Sequence, residues 1–259
     1  MSGAIGVFDS GIGGLTVASA IKKHLPNQQI IYFGDTLHLP YGDKSSGKIK
    51  EYIKAISAFL FDNKCEHLVV ACNSASSVLL SLKNLPPFSS ITNVIEPVVG
   101  QVIANPDIKN VGIIGTKRTI NSHMYKHQIE AVRADITVHE LATPLLAPMI
   151  EEGFVHDSIA EQVIHEYLSE LPEIDAMILG CTHYPLIKKE IDSFYNGQVK
   201  LFDAPDVVAN TLKKLVHVNE AQPISDHFYV SDYTASFEKT ARLFFGEAIR
   251  LEKSDLFPY

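Results

Sequence analysis

The sequence lacks the cationic clusters that would direct this chain to nucleic acid. Acidic residues outnumber basic ones by 30 to 22, which gives a formal net charge of −8 at pH 7. Lysine and arginine never occur in runs longer than two. Non-specific nucleic-acid binding needs clustered cationic side chains that displace counterions from the phosphates. We therefore expect no nucleic-acid partner.

Export and membrane signals are also lacking. The N-terminal stretch MSGAIGVFDSG has neither the basic segment nor the apolar segment of a secretory signal peptide. No apolar stretch approaches the roughly 20 residues that a membrane-spanning helix needs. These absences predict a cytoplasmic protein with no membrane partner.

Cysteine is scarce, and its spacing argues against structural metal and disulfide sites. The three cysteines lie at positions 65, 72 and 181 and include no C-x-x-C pair. An odd and widely spaced set is not typical of a disulfide framework or a zinc site, so we predict no metal. In a reducing compartment each thiol then serves either packing or chemistry.

What the sequence does contain is a regular alternation of short Ile- and Val-rich runs with longer amphipathic stretches. The predicted strands are 4–8, 29–33, 67–71, 93–95, 110–115, 135–141, 175–180 and 199–202. The first three precede helical patterns at 13–25, 47–64 and 74–85. Continuous apolar strands that alternate with helices indicate parallel sheets covered on both faces. The chain is therefore predicted to be an α/β protein.

Two motifs occur twice in the same order. IGVFDSGIGG is similar to VGIIGTKRTI, and aligning Asp9 with Gly115 gives an offset of 106. LVVACNSAS is similar to MILGCTHYP, with an offset of 109 between Cys72 and Cys181. Nearly equal offsets predict two similar parallel-sheet α/β domains related by pseudo-two-fold symmetry. Open α/β sheets bind ligands at the carboxyl ends of their strands, so we expect the active site in the cleft between the domains.

Two facing thiols can do what a single base cannot. One thiolate removes a proton from one face of a substrate carbon, the other thiol delivers a proton to the opposite face, and the product is the mirror image. Each thiol needs a neighbour that holds or passes charge. Asp9 at the end of the first strand and His183 two residues after Cys181 are suited to that task.

Other interpretations of these residues stay open. A free cysteine at a strand end is most often a small buried hydrophobic residue, and Cys65 is assigned to that class because it belongs to no motif. A Cys–His hydrolase would need one thiol and one imidazole, although it leaves the second cysteine without a role. The turn DSGIGG lacks the third glycine of a dinucleotide loop and the lysine of a P-loop, so no cofactor is predicted. By default, Glu151 and Glu152 are solvated charges at a helix end.

Eight segments also match a known family in their order along the chain. They are GVFDSGIGGLTV (6–17), YFGD (32–35), PYG (40–42), ACNSAS (71–76), VIEP (94–97), GTKRTI (115–120), PMIEEG (148–153) and GCTHYPL (180–186). On these segments the chain resembles the bacterial glutamate racemases, of the aspartate/glutamate racemase superfamily, over nearly its whole length. The resemblance implies a cofactor-independent two-base racemase that supplies D-glutamate for peptidoglycan.

The resemblance further implies roles for individual residues. Cys72 and Cys181 match the two acid/base thiols, and Asp9, Glu151 and His183 match the residues that assist them. The matching substrate contacts are Asp9, Ser10, Tyr41, Gly42, Asn73, Ser74, Thr116, Thr119, Thr182 and His183. Ser74 stands where threonine is usual and keeps the hydroxyl, whereas His38 stands where arginine is common before PYG.

The family architecture implies how the domains divide. A first domain of 1–95 and 208–259 would carry Asp9 and Cys72, and a second domain of 96–207 would carry Glu151, Cys181 and His183. The stretch 227–246 is predicted to form a strand and a helix that complete the first domain. The expected partner is a small molecule, L- or D-glutamate, and a homodimer is left open. Aspartate racemase and a catalytically silent binding protein of the same fold remain alternatives.

Overall fold

The computed structural model describes residues 3–216, 225–246 and 249–257. The predicted first-domain range 208–259 thus includes positions 217–224, 247–248 and 258–259, which lie outside the described residues. The chain divides into two compact units, Met1–Val94 with Pro205–Tyr259 and Ile95–Ala204. Within the described ranges no helix combines the length and the apolar character needed to span a membrane.

Strands and helices alternate along the chain. The strands are β1 (Ala4–Asp9), β2 (Ile30–Gly34), β3 (Cys65–Val70), β4 (Ser90–Asn93), β5 (Asn110–Gly115), β6 (Thr137–Ala142), β7 (Ala176–Gly180), β8 (Lys200–Phe202), β9 (His227–Val230) and β10 (Leu251–Lys253). The helices are α1 (Leu15–His24), α2 (Ser46–Asp62), α3 (Asn73–Leu79), α4 (Ile95–Ile103), α5 (Lys117–Asn121), α6 (Met124–Val132), α7 (Leu146–Glu151), α8 (Ser158–Leu168), α9 (Lys188–Phe194), α10 (Pro205–Leu215) and α11 (Ala235–Phe245). Two short 3-10 helices span Tyr41–Asp43 and Tyr184–Ile187.

The first unit is built on a six-stranded parallel sheet in the order β10-β9-β2-β1-β3-β4. Every residue of β1 is buried, as the continuous apolar run 4–8 requires for a strand covered on both faces. Helix α2 buries Ile49, Ile53, Ile56 and Leu60, whose spacing places them on one face. Strand β9 pairs with β2, and the strand and helix predicted within 227–246 are both observed.

The second unit has a four-stranded parallel sheet in the order β6-β5-β7-β8. Its strands follow the same succession as β2-β1-β3-β4 of the first unit. In each unit the first strand is therefore flanked by the second and the third. The predicted α/β class with two parallel sheets is confirmed.

Two element boundaries predicted between residues 74 and 95 are wrong. The predicted strand 93–95 ends at Asn93, and Ile95 instead begins α4. Ile95, Val98, Val99 and Val102 are all buried, so their helical spacing prevails over the β propensity of branched residues. The helix predicted over 74–85 ends at Leu79; it could not have reached residue 85, because Asn84 adopts a left-handed φ of 64° and two prolines follow.

Candidate active site

Asp9 and Cys72 lie at the carboxyl edge of the first unit's sheet. Phe8 of β1 pairs with Val70 of β3, and the Ala71 N–H continues the ladder to the Phe8 carbonyl at 2.9 Å. Asp9 is fully buried and accepts a hydrogen bond from the Gly11 N–H at 3.1 Å. A side chain at Gly14 would place its Cβ 2.5 Å from the Asp9 Cβ. Glycine is therefore required in this turn, where α1 begins close against the Asp9 side chain.

Polar groups surround the Cys72 thiol. Its Sγ caps α3 by accepting the Ala75 N–H at 3.4 Å, and the thiol donates to the Ser10 Oγ at 3.5 Å. A backbone N–H directed at sulfur favours negative charge there. The pKa of the Tyr32 phenol is raised well above its ordinary value by burial and, in addition, by negative charge on Asp9 and Cys72. Asp9 and Cys72 therefore belong to one electrostatic neighbourhood.

The segment Tyr41–Asp43 follows β2 and carries two of the predicted substrate contacts. Tyr41 is fully buried, and its hydroxyl donates to the Asp35 Oδ2 at 2.6 Å. Burial, followed by the Asp35 charge, raises the Tyr41 pKa far above its ordinary value. The hydroxyl is thus a neutral donor already bonded to Asp35. Because the hydroxyl is occupied, a ligand at this loop would bind to the backbone groups of Tyr41 and Gly42.

In the second unit, Cys181, His183 and Glu151 form a hydrogen-bonded series. Cys181 directly follows β7, and its Sγ lies 3.5 Å from the His183 Nδ1. The His183 Nε2 lies 2.8 Å from the Glu151 Oε1 at the end of α7. The default reading of Glu151 as a solvated charge is therefore wrong, whereas Glu152 is exposed.

The pKa of His183 reflects its burial and its contacts with Cys181 and Glu151. Burial lowers its pKa, but negative charge on Cys181 and hydrogen bonds to Cys181 and Glu151 raise it, and the net pKa lies well above the ordinary value. An imidazolium at this position can donate from Nδ1 to the sulfur and from Nε2 to the carboxylate. The imidazole thus links the Cys181 sulfur to the Glu151 carboxylate.

The predicted threonine contacts lie at the same edge of the second sheet as Cys181. Gly115 of β5 pairs with Gly180 of β7, so Thr116 and Cys181 leave the sheet side by side. The Thr116 hydroxyl caps α5 by accepting the Thr119 N–H at 3.3 Å, and the two threonine hydroxyls lie 3.1 Å apart. The Thr182 Oγ1 lies 3.4 Å from the His183 Nδ1. These hydroxyls suit a carboxylate or amino group of a small ligand.

Two further polar groups escaped the sequence-based assignment. Asp35 is a fully buried carboxyl group that follows β2 as Asp9 ends β1, and this parallel is the signal that could have found it. Tyr184 directs its hydroxyl at the Thr143 side chain at 2.6 Å, a contact between residues 41 positions apart that has no local signature. Among the described residues, no group of three or more His, Cys, Asp and Glu side chains is arranged to hold a metal ion.

Taken alone, the Cys181–His183–Glu151 series would suit acyl transfer or proton transfer. The second thiol, Cys72, also follows a strand and also has polar partners, which acyl transfer does not need. The structure thus defines an α/β protein in which each unit carries a thiol with polar partners at the carboxyl edge of its sheet.

The chain belongs to the Asp/Glu/Hydantoin racemase family, whose sequence model matches residues 16–212. It is 40% identical to a glutamate racemase of Aquifex aeolicus, with 95% of each chain covered. It is 38% identical to a glutamate racemase of Geobacter metallireducens, with 94% of this chain and 93% of the relative covered.

Solved structures show the same relationship. The crystal structure of glutamate racemase from Francisella tularensis in complex with D-glutamate has a TM-score of 0.87 at 37% identity, and covers 99% of this chain and 98% of that one. A glutamate racemase isoform of Bacillus anthracis has a TM-score of 0.89 at 31% identity, and covers 98% of this chain and 97% of that one. The aspartate racemase of Picrophilus torridus is 17% identical with a TM-score of 0.61, which is a likeness of fold alone.

Proposed function

We propose that this chain is a glutamate racemase that uses Cys72 and Cys181 as its two acid/base groups and needs neither pyridoxal phosphate nor a metal. The observation that carries the proposal is that each thiol lies within two residues of the end of a core strand and has its own polar partners. Cys72 contacts Ser10 and the Ala75 N–H, and Cys181 contacts His183. Family membership and relatives named glutamate racemase at 34–40% identity support this substrate.

In the direction from L- to D-glutamate, the Cys181 thiolate takes the proton from Cα and becomes a thiol. The electron pair of the broken C–H bond passes to the substrate's α-carboxylate, and the Cys72 thiol returns a proton to the opposite face of Cα. His183, held by Glu151, stabilises the Cys181 thiolate before the step. The proposal requires that the two thiols lie on opposite faces of the substrate's Cα.

In the reverse direction the roles exchange. The Cys72 thiolate, assisted by Asp9, takes the proton from D-glutamate, and the Cys181 thiol supplies the other proton. Each turnover leaves the thiols with their protons exchanged, so both must re-equilibrate before the same enantiomer can react again. The proposed substrate contacts are Asp9, Ser10, Tyr41, Gly42, Asn73, Ser74, Thr116, Thr119, Thr182 and His183. The D-glutamate formed in the cytoplasm would supply peptidoglycan synthesis.

A solvent-exchange experiment tests the proposal. Dialysed protein is incubated with L-glutamate in deuterated water, and the Cα–H signal is followed by NMR while optical rotation is recorded. We expect the rotation to decay to zero and deuterium to enter Cα of the product. A requirement for added pyridoxal phosphate or metal after chelation would contradict the two-thiol mechanism. Faster turnover of aspartate than of glutamate would contradict the substrate.

A further inference from the structure

Ser231 connects the C-terminal part of the chain to a buried carboxyl group in the first unit. It directly follows β9 and is 3% exposed. Its Oγ donates to the Asp35 Oδ1 at 2.8 Å and accepts the Leu37 N–H at 2.9 Å. A single hydroxyl therefore provides a hydrogen-bond partner for both the carboxyl group and the backbone of the chain that follows it.

Asp35 in turn organises the loop that carries Tyr41 and Gly42. Its Oδ2 accepts the Tyr41 hydroxyl at 2.6 Å, and the His38 Nδ1 lies 2.9 Å from its Oδ1. The Asp35 N–H donates to the Asp9 carbonyl at 3.0 Å. Removing one partner of a buried polar group leaves the desolvation cost of that group uncompensated. We therefore expect the Ser231 hydroxyl to influence the position of the Asp35 carboxyl group and of the loop bonded to it.

The strand that carries Ser231 is held independently of the Ser231 side chain. The Ser231 N–H donates to the Gly34 carbonyl at 3.0 Å, and the Asp232 N–H donates to the Thr36 Oγ1 at 2.9 Å. Strand β9 also keeps its register with β2 from His227 to Val230. A variant that loses only the Ser231 hydroxyl should therefore keep the sheet and change the loop.

We propose that Ser231 is a positioning residue for substrate binding, which acts through Asp35 and Leu37 to hold the Tyr41–Gly42 loop in its ligand-binding position. This proposal rests on the proposed function, because it takes the loop as a substrate contact. Ser231 itself touches neither thiol in the described contacts. Its loss should thus weaken the binding of glutamate more than it slows proton transfer.

The kinetic test compares Ser231→Ala with Ser19→Ala. The Ser19 Oγ donates to the Phe245 carbonyl at 2.7 Å, so the control also removes a buried serine hydrogen bond to the C-terminal part of the chain, but at a distance from the loop. For Ser231→Ala we expect KM for both enantiomers to rise about fivefold or more while kcat stays within about twofold. Ser19→Ala should leave both constants near those of the parent. An unchanged KM in folded Ser231→Ala, or an equal rise in Ser19→Ala, would overturn the proposal.

Amide exchange followed by NMR tests the same residue without reference to activity. The Asp43 and Lys44 N–H groups close the turn on the carbonyls of Pro40 and Tyr41. We expect both amides to exchange about fivefold or more faster in Ser231→Ala and unchanged in Ser19→Ala. Unchanged exchange would overturn the anchoring role. A parent protein that does not racemise glutamate would contradict the proposed function alone, and the exchange result would still decide whether Ser231 anchors the loop.

Discussion

Replacing Glu151 by glutamine should slow racemisation, because Glu151 supports His183 beside Cys181, the thiol that we assign to deprotonation of L-glutamate. The substitution keeps the shape of the side chain and removes its charge at an oxygen that lies 2.8 Å from the His183 Nε2. Burial lowers the pKa of His183, while Cys181 and then Glu151 raise it above its ordinary value. Without the Glu151 charge this pKa should fall, and the imidazolium beside Cys181 becomes less populated.

The expected size of the effect follows from the exposure of the pair. A hydrogen bond to a charged group contributes roughly 1.5–3 kcal/mol. The Glu151 side chain is 33% exposed, and solvent screening reduces the contribution of such a pair. We therefore expect a loss of about 1 kcal/mol in transition-state stabilisation, or roughly a fivefold decrease in kcat/KM. The decrease must be equal from either enantiomer, because no catalyst moves the equilibrium between them.

Deuterium isotope effects separate the two proton transfers. With α-deuterated L-glutamate the effect on kcat/KM reports the transfer to Cys181, and with α-deuterated D-glutamate it reports the transfer to Cys72. In Glu151→Gln the first effect should increase and the second should decrease, because the transfer at Cys181 limits the rate more strongly. Circular dichroism gives the initial rates. The alkaline side of the kcat/KM profile should also move to lower pH, since the His183 pKa is lower.

Glu152→Gln is the matched control, because the same chemical change is made one residue later at an exposed position. It should keep the parent's kcat/KM and isotope effects. An equal loss in the control, or isotope effects that do not change in Glu151→Gln, would refute the role of Glu151 argued above.

The same ion pair predicts how stability depends on pH. A raised pKa in the folded state means that His183 contributes stability fully below its ordinary pKa of roughly 6.5, and loses it as the pH rises through the folded-state value. The difference in unfolding free energy between the parent and Glu151→Gln should therefore shrink toward alkaline pH. Urea unfolding at several pH values measures it.

The remaining predictions concern the three thiols. A serine hydroxyl is too weak an acid to replace a thiol, so Cys72→Ser and Cys181→Ser should each lose at least ~10²-fold in racemisation. Cys72→Ser should still exchange the Cα proton of L-glutamate with deuterated solvent, and Cys181→Ser that of D-glutamate; the opposite pattern would reverse the assignment of faces. Burial raises the pKa of the Cys65 thiol to about 12, so Cys65→Ala should keep the parent's turnover while losing about 1 kcal/mol of stability. An inactive but folded Cys65→Ala protein, as judged by circular dichroism, would mean that the wrong thiols are paired.

Much of the fold could be read from local patterns. The run 4–8 is apolar at every position and forms the fully buried strand β1, because a strand covered on both faces has no solvent-facing side. The prediction failed at 93–95, where Ile95 belongs to a helix. Branched apolar residues fit both elements, and the choice was made by the packing of Val98 and Val102 in the core rather than by propensity.

The sequence by itself determined which strands end in thiols or carboxylates. A thiol or carboxylate that ends an apolar run, as Cys72, Cys181 and Asp9 do, lies at the carboxyl edge of its sheet, because the parallel strands of one sheet all end at the same edge. Only the tertiary structure decided the partners of these edge groups. Glu151, at the end of α7, contacts His183 in the turn after β7, and Ser231 contacts Asp35, which is 196 residues away in the sequence. Such contacts depend on strand order and helix packing, which bring together residues whose contact cannot be predicted from their local sequences.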